Sequence, residues 1–467
     1  MERGTRGSLG RSDHAGGVQR GGLLCDRMSG PGLRQEAMTM KRPETCSCDV
    51  AVIGMGMAGM AAALFAAGRD FSVIQTGLAG EISFSSGLID VLGVHPVEEG
   101  RAWQNPWTGI EALKRAIPVH PYARVTGAEI RSALEIVLSF LEEQGLPYRT
   151  GGDRNLEMIV PTGMIKQTYA LPSTMWSGTK AFREKASCLI VDFHGLTEFS
   201  SRQMSEALHE HWPGLRAGRV PFPGKNPQGV LVTGEVTATE MESRRNREEL
   251  VRSLLPMVKD ARYVGFPALF GMIRTTEIMS DLEQRIGLPV FEIPTFPVSV
   301  PGLRLNDAFA KGLCRKGVGR ITQSRVMSVQ KSGEGFLLRV GREAQEWEIQ
   351  ARGVVLATGR FWGRGLVAGR ERIREPLLDL PVTQPTGREE WHRSDFLDPR
   401  GHPVNRAGIE TDDLFRPLGR TGRPAFDRLF AAGSILAHQD WIRMKCGSGM
   451  AIASAYGAVK GLAEVLG

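Results

Sequence analysis

Three glycines, Gly54, Gly56 and Gly59, stand at the spacing G-x-G-x-x-G directly behind an apolar, strand-like run at 49–53. In such a motif the first glycine makes a tight turn, the second lets the backbone approach a pyrophosphate, and the third lets the following helix pack on its strand. The helix that begins there points free N–H groups and its positive dipole end at phosphate oxygens. The spacing therefore predicts a dinucleotide-type phosphate site.

The surrounding residues predict the βαβ unit that such a site needs. Residues 50–53 are β-prone, 58–67 form an Ala-rich helix, and a second strand is predicted at 71–75. The stretch 51–68 is also eighteen residues without a charge, which is the lower limit for a membrane span. Its four glycines and few Leu or Ile residues favour a buried strand–turn–helix instead.

Composition indicates a globular protein of two or three domains: 467 residues, 42% hydrophobic and 23% charged. The net charge is +7, of which residues 1–42 supply +4, and a disordered Gly/Arg-rich extension is predicted for 1–47. The basic residues form no stripe interleaved with aromatics, so nucleic acid is not an expected partner. The six cysteines show no C-x-x-C or metal-finger spacing, so no metal site is predicted.

Small residues recur at two later strand ends and at the start of the last helix. Thr358-Gly359 and Gly433-Ser434 each end a short apolar strand, and a Gly/Ala-rich helix is predicted over 447–465. Small residues at a strand's carboxyl end let a flat ring or a ribityl chain lie against the backbone. In this order, the segments resemble the glutathione-reductase-like flavoproteins, particularly the fumarate-reductase branch. That resemblance implies that the last helix directs its N–H groups at a flavin.

Longer segments narrow the resemblance. These are Phe84–Leu92 (FSSGLIDVL), Ile373–Pro376 (IREP), Glu390–Phe396 (EWHRSDF), Gly408–Pro417 (GIETDDLFRP) and Ala432–Leu436 (AGSIL). The chain from Asp49 to its C-terminus resembles the B subunits of bacterial anaerobic glycerol-3-phosphate dehydrogenases. The resemblance implies an FMN flavoprotein that works with two partners, a catalytic FAD subunit and an iron–sulfur, membrane-associating subunit. It further implies oxidation of sn-glycerol 3-phosphate to dihydroxyacetone phosphate, with electrons passed toward a quinone.

The predicted fold is α/β: a discontinuous Rossmann-like flavin-binding domain with an inserted α/β cap domain. Strands alternate with helices through the middle of the chain, as at 187–193 and 199–212, which indicates a second parallel sheet. The flavin-binding domain is assigned residues 48–125, 301–360 and 421–467, the cap 126–300, and a cap or partner-facing segment 361–420. With no secretory signal, the chain is expected in the cytoplasm, held to the inner membrane through a partner subunit.

Fourteen residues are predicted to bind the flavin: Gly54, Gly56, Gly59, Gln75, Ser85, Ser86, Gly87, Thr358, Gly359, Gly433, Ser434, Gly447, Ser448 and Gly449. Gln75 stands where dinucleotide sites usually carry Asp or Glu for the adenosine ribose. This missing carboxylate favours FMN. FAD stays open, because the fingerprint is complete and Gln75 can itself hydrogen-bond a hydroxyl.

Oxidation of a secondary alcohol needs a base at the hydroxyl and cations for the phosphate. His438 is the candidate base; the alternative is an ordinary hydrogen-bonding surface histidine. Five arginines follow Gly359 and are candidates for an anion clamp: Arg360, Arg364, Arg370, Arg372 and Arg374. Arg374 is favoured because it lies in a family-like segment, and the alternative for the set is a solvated or partner-facing charge run.

Three functions remain open from the sequence. The chain is an electron-relaying flavoprotein subunit, or a self-contained FAD dehydrogenase or reductase of the fumarate-reductase type, or a flavin-fold subunit that serves only assembly. Substrate turnover by the isolated chain separates the second from the first, and absence of bound flavin indicates the third.

Overall fold

The fold is described from a computed structural model and covers residues 43–78, 80–222 and 231–467. The extension predicted for residues 1–47 lies outside the described residues as far as residue 42, and its last residues belong to the first strand.

The described chain forms strands and helices in alternation. The strands are β1 (Glu44–Ile53), β2 (Val73–Gly77), β3 (Tyr148–Thr150), β4 (Leu156–Ile159), β5 (Ile165–Thr168), β6 (Ala170–Pro172), β7 (Cys188–Phe193), β8 (Leu215–Val220), β9 (Tyr263–Pro267), β10 (Val290–Ile293), β11 (Gly319–Thr322), β12 (Arg325–Ser332), β13 (Gly335–Gly341), β14 (Gln345–Leu356), β15 (Val367–Ala368), β16 (Ile373–Arg374) and β17 (Leu429–Ala431). The helices are α1 (Met57–Ala67), α2 (Pro106–Ala116), α3 (Gly127–Glu143), α4 (Trp176–Glu184), α5 (Ser201–Leu208), α6 (Gly234–Glu240), α7 (Arg244–Val258), α8 (Thr275–Ile286), α9 (Val300–Arg315), α10 (Trp441–Met444) and α11 (Gly447–Leu466).

The larger sheet has seven strands in the order β11-β2-β1-β14-β13-β12, with β17 paired to β14. The strands β11, β2, β1, β14 and β17 run parallel, whereas β13 and β12 extend the sheet in antiparallel fashion. Ile53 at the end of β1 lies opposite Thr76 of β2 and Leu356 of β14. Because carboxyl ends of parallel strands share one edge, the segments that follow these strands meet there.

A first hydrophobic core surrounds this sheet. Helices α1 and α11 pack against each other, and α3 packs against α11. The α3 helix, assigned from the sequence to the cap, buries Ile130, Ala133, Leu134 and Val137 in the same core as β1 and β14. Its apolar stripe faces α11 and α9, so the packing places this helix with the larger sheet.

A second core lies around a four-stranded sheet of order β10-β9-β7-β8, in which all strands are parallel. Residues from α4, α5, α7 and α8 fill this core together with the strands. The predicted α/β fold, a Rossmann-like sheet with an inserted α/β cap, is confirmed. The residue boundaries of the domains stay a prediction.

Two predicted strands differ from the observed ones. The strand predicted at 319–329 is two strands, β11 and β12, because Gln323 between them adopts a left-handed conformation with φ 53°. The strands predicted at 346–350 and 354–359 are one strand, β14. It pairs with β13 along its first half and with β17 at its end, and the sequence shows no break at that exchange of partner.

The stretch 51–68 forms the end of β1 and the eleven-residue helix α1, so the strand–turn–helix prediction is confirmed. Across the described parts of the chain, no helix is both long and apolar enough to cross a membrane.

Candidate flavin site

The fingerprint glycines lie in the turn from β1 to α1. Gly54 has φ 137°, its N–H donates to Thr76 O at 2.8 Å, and a side chain there would overlap Ala357 O. A side chain on Gly59 would overlap Gly54 O. Gly56 caps α1, and a Cβ on it would meet no atom within 4 Å. Two glycines thus allow close packing, and the third opens the N-terminus of α1 toward a ligand.

The later strand ends lie beside the fingerprint. The Ala357 N–H donates to Ile53 O at 2.9 Å, which brings Thr358 and Gly359 to the end of β1. A Cβ on Gly433 would lie 2.5 Å from the Cβ of Ala58, in the first turn of α1. Gly359 and Gly433 both have positive φ, 70° and 84°, and this conformation favours glycine. Segments that are far apart along the chain are therefore adjacent at the sheet edge.

The loop after β2 also reaches this edge. Gly80 lies so close to the fingerprint that a Cβ on it would be 2.5 Å from Gly56 N. A short 3₁₀ turn follows, and then the predicted residues Ser85, Ser86 and Gly87, packed on the start of α9. The Ser85 carbonyl accepts a hydrogen bond from Ser299, and the Gly87 carbonyl accepts one from the Tyr148 hydroxyl at 2.7 Å. Gly80 was not among the predicted residues, because no motif marks it.

Three buried hydroxyl oxygens at this edge have no hydrogen-bond partner among the described residues: those of Thr76, Ser85 and Thr358. Buried polar atoms are nearly always paired in native proteins. A flavin carries ribityl hydroxyls and phosphate oxygens that can pair with such groups. The residues present therefore fit a flavin, with the phosphate at the α1 N-terminus beside Gly56.

Gln75 does not lie where the sequence analysis expected. Its side chain is fully buried, its Nε2 donates to Gly54 O at 2.9 Å, and its Oε1 accepts from Arg320 Nε at 3.3 Å. A carboxylate cannot donate to a carbonyl, so the amide is the side chain that suits this position. Gln75 holds the first fingerprint glycine in place rather than reaching toward a ribose.

The start of α11 differs in part from the prediction. The Gly449 N–H donates to Asp90 O at 2.8 Å, so it is engaged by the chain that follows Gly87. The Ser448 hydroxyl donates to Leu88 O at 3.4 Å, and a Cβ on Gly447 would lie 2.9 Å from the Trp441 ring. Of these three, Gly449 has its N–H committed to the protein itself.

The arginines after Gly359 do not form one clamp. Arg360 is buried, and its guanidinium donates to the carbonyls of Ser434 (2.7 Å), Gln439 (2.8 Å), Leu436 (3.4 Å) and Asn405. Burial lowers the pKa of Arg360 to about 10. Arg360 is thus a brace for the loop after β17, because its donors are already used by backbone carbonyls.

Arg374 lies elsewhere, on the exposed side of β16. With Arg372 and Arg420 it lines a separate pocket of about 220 Å³. Arg364 and Arg370 are exposed. Within the described residues, no hydrogen bond or ion pair joins Arg374 to the strand ends, so its predicted role stays a prediction.

His438 is paired with a carboxylate. Its Nε2 lies 2.7 Å from Glu410 Oε1, and the same oxygen accepts the Thr383 hydroxyl at 2.9 Å. Burial alone would raise the pKa of Glu410, but the hydrogen bonds from His438 and Thr383 bring it below its usual value. Glu410 was missed as a site residue, although it lies in the family-like segment 408–417.

Comparison with known proteins agrees with this geometry. The model of a family described as FAD binding domain matches residues 49–450. A protein of Halobacterium salinarum, named among the probable B subunits of anaerobic glycerol-3-phosphate dehydrogenase, is 31% identical over 435 residues, covering 90% of this chain and 98% of that protein. The chain belongs to the family of anaerobic glycerol-3-phosphate dehydrogenase B subunits.

A second member of this family, from Vibrio cholerae, is 29% identical over 425 residues, covering 88% of this chain and 95% of that protein. The 3-ketosteroid delta1-dehydrogenase of Sterolibacterium denitrificans is 13% identical with a TM-score of 0.42, over 90% of this chain and 99% of that one. That structural similarity is too loose to carry an argument. Family membership and the FAD binding domain make the chain a flavin-dependent oxidoreductase.

Proposed function

We propose that this chain is the flavoprotein B component of an anaerobic glycerol-3-phosphate dehydrogenase. In this role it relays electrons from the oxidation of sn-glycerol 3-phosphate to dihydroxyacetone phosphate toward a quinone. The observation that carries the proposal is the convergence of an open helix N-terminus at Gly56 with three unpartnered hydroxyls, in a chain aligned over nine-tenths of its length with named B subunits.

The chain's own residues divide the work of binding. The α1 N-terminus at Gly56 binds the phosphate through backbone N–H groups and the helix dipole. The hydroxyls of Thr76, Ser85 and Thr358 pair with polar oxygens of the cofactor, and Gly359 and Gly433 keep the edge free of side chains. When bound, a flavin supplies the two-electron chemistry that these side chains lack.

We infer that the flavin is FAD. The matched family is described as FAD binding, the match runs from residue 49 to 450, and the fingerprint glycines are complete. The FMN favoured by the sequence analysis keeps one observation in its support. Gln75, at the position of the usual ribose-binding carboxylate, is committed to Gly54 and Arg320.

The partners in this proposal are a catalytic FAD subunit and an iron–sulfur, membrane-associating subunit, which passes electrons to quinone. The relatives are themselves named as subunits, which supports a multi-subunit assembly. Through the iron–sulfur subunit the chain would be held at the cytoplasmic face of the inner membrane.

One observation favours a second candidate, a self-contained FAD dehydrogenase. The pair of His438 and Glu410 lies next to the strand-end loops, and a histidine oriented by a carboxylate is a common general base. In that case this chain itself would take the hydroxyl proton of the substrate.

Anaerobic reduction of the bound flavin tests the proposal. The purified chain and its complex with the catalytic and iron–sulfur subunits are each mixed with sn-glycerol 3-phosphate, and the flavin absorbance is followed. The relay function predicts loss of the oxidised spectrum of this chain's flavin only when the catalytic subunit is present. Reduction of the isolated chain would support the self-contained dehydrogenase, and a chain purified without flavin would support an assembly role.

A further inference from the structure

We propose that Glu410 is the positioning residue of His438. It fixes the imidazole with Nε2 as the protonated nitrogen, so that Nδ1 is the atom left to receive a proton from a bound alcohol. The inference rests on the proposed function only for the identity of that alcohol, a phosphorylated polyol.

The geometry of the pair favours one tautomer. A carboxylate only accepts hydrogen bonds, and Glu410 Oε1 lies 2.7 Å from His438 Nε2, so the hydrogen lies on Nε2. The Thr383 hydroxyl donates to the same carboxylate oxygen at 2.9 Å, which fixes the acceptor as well. Both side chains remain partly exposed, His438 by 25% and Glu410 by 44%, so a ligand can reach them.

Three chain segments hold the pair in place. Thr383 and Gly408 form one isolated β-bridge, and Ile409 and Leu436 form another, which brings the two residues of the pair side by side. His438 has a left-handed φ of 63°, and its N–H donates to Arg406 O at 3.0 Å. A non-glycine residue in this conformation is uncommon and is held there by its surroundings.

The pair is tied to the flavin edge through the backbone. Gln439 donates to Gly433 O at 3.4 Å, and Arg360, just after Thr358-Gly359, braces both Ser434 O and Gln439 O. His438 therefore lies in a loop anchored at both strand ends that the flavin would contact. Nearby, burial lowers the pKa of His120 to about 3, so this second histidine stays neutral and does not compete for the proton.

The proton balance follows from the chemistry of alcohol oxidation. Conversion of a secondary alcohol to a ketone releases a hydride, which a flavin accepts with both electrons, and the hydroxyl proton. His438 Nδ1 takes that proton, and the Glu410 carboxylate stabilises the resulting imidazolium through Nε2–H. The bond that breaks at the hydroxyl is O–H, and the bond that forms is N–H on Nδ1.

Kinetics of the flavin-loaded complex with glycerol 3-phosphate and an artificial acceptor test the assignment. Glu410→Gln is expected to lower kcat by about 10- to 100-fold with KM nearly unchanged, as for other partners that orient an imidazole. Glu410→Asp should recover part of the loss. Glu98→Gln is the matched control, because Glu98 pairs with Arg406 at 2.8 Å and has the same charge, and it should leave kcat almost unchanged. Equal losses in Glu410→Gln and Glu98→Gln would overturn the assignment.

A second measurement needs neither substrate nor flavin. In protein labelled with ¹⁵N-histidine, the His438 signal is identified by its absence in His438→Gln, and its nitrogen shifts report the tautomer. Wild type should carry hydrogen on Nε2, and Glu410→Ala should show a mixture. Hydrogen on Nδ1 in wild type would refute the inference even if the complex oxidises glycerol 3-phosphate. If wild type has the Nε2–H tautomer but the complex does not oxidise this substrate, the proposed function fails while the pair stands.

Discussion

The two parallel sheets of this molecule treat polar groups at their strand ends in opposite ways. At the carboxyl edge of the larger sheet, the hydroxyls of Thr76 and Thr358 are buried without partners among the described residues. In the cap sheet, Asp192 accepts hydrogen bonds from Arg219 and from Ser201 N, and Glu292 accepts from Arg304, Thr174 and Phe270 N.

This difference distinguishes an edge built to bind from an edge built to hold. A buried polar atom without a partner costs about 1–3 kcal/mol, which a ligand can recover by pairing with it. A saturated buried carboxylate has nothing left to offer a ligand, and it contributes by linking elements. The larger sheet is therefore the expected flavin edge, and the cap sheet a scaffold.

The largest effect is expected from Gly56→Val, which places a branched side chain in the open space at the α1 N-terminus. We expect no detectable flavin in the purified variant, with secondary structure by circular dichroism unchanged. Gly127→Val is the matched control, because Gly127 also begins a helix and a Cβ there meets nothing within 4 Å. Stoichiometric flavin in Gly56→Val would refute the fingerprint interpretation.

Next in size is Arg219→Met in the cap. Asp192 is fully buried, and removing its partner leaves a buried charge uncompensated, at a cost of about 3 kcal/mol. Chemical denaturation should show this loss while flavin content stays that of wild type. As a control, Lys311→Met breaks the exposed Lys311–Asp307 pair and should change stability by less than about 0.5 kcal/mol. Loss of flavin in Arg219→Met would mean that the two edges are not independent.

A pair of threonine substitutions sharpens the comparison. Thr358→Val removes an unpartnered hydroxyl, so the flavin-free protein should keep its stability while flavin binds about fivefold to tenfold more weakly, equivalent to about 1 kcal/mol. Thr174→Val removes a 2.6 Å hydrogen bond to Glu292 and should do the reverse. Titration of stripped protein with flavin and thermal melts of the same samples give both quantities. The comparison fails if the two variants behave alike.

The smallest effect concerns Glu129, which joins α3 to α11. Although burial acts to raise it, hydrogen bonds from Lys460 and from the Thr126 cap lower the pKa of Glu129 to about 2, from 4.5. A lowered folded-state pKa contributes stability that is complete above pH 4.5 and is lost as pH falls toward about 2. Glu129→Gln should therefore cost about 1 kcal/mol at neutral pH, and less in acid. A difference that stays constant between about pH 6 and pH 3 would contradict this account.

The sequence was sufficient for the features that depend on local pattern. The fingerprint turn, the small residues after β14 and β17, and the amphipathic stripe of α3 each follow from residue types at short spacing. Their meeting at one edge followed from the rule that parallel strands share a carboxyl end.

What could not be predicted depends on contacts between distant segments. Arg360 looks like an anion ligand in sequence, and only the fold shows that backbone carbonyls surround its guanidinium. The same holds for Gln75 and for Glu410, whose partners Gly54 and His438 are 21 and 28 residues away. The position of α3 was misassigned because its stripe shows that one face is buried, but not against which core.

The most direct test of the central claim is the flavin content of the wild-type chain. The protein is purified, denatured to release any bound cofactor, and the flavin is identified and quantified by chromatography against the protein concentration. The account predicts close to one FAD per chain, and one FMN per chain would keep the flavin edge but correct the cofactor. A folded chain without flavin, which also fails to bind added FAD or FMN, would contradict the claim that the larger sheet's carboxyl edge is a flavin site.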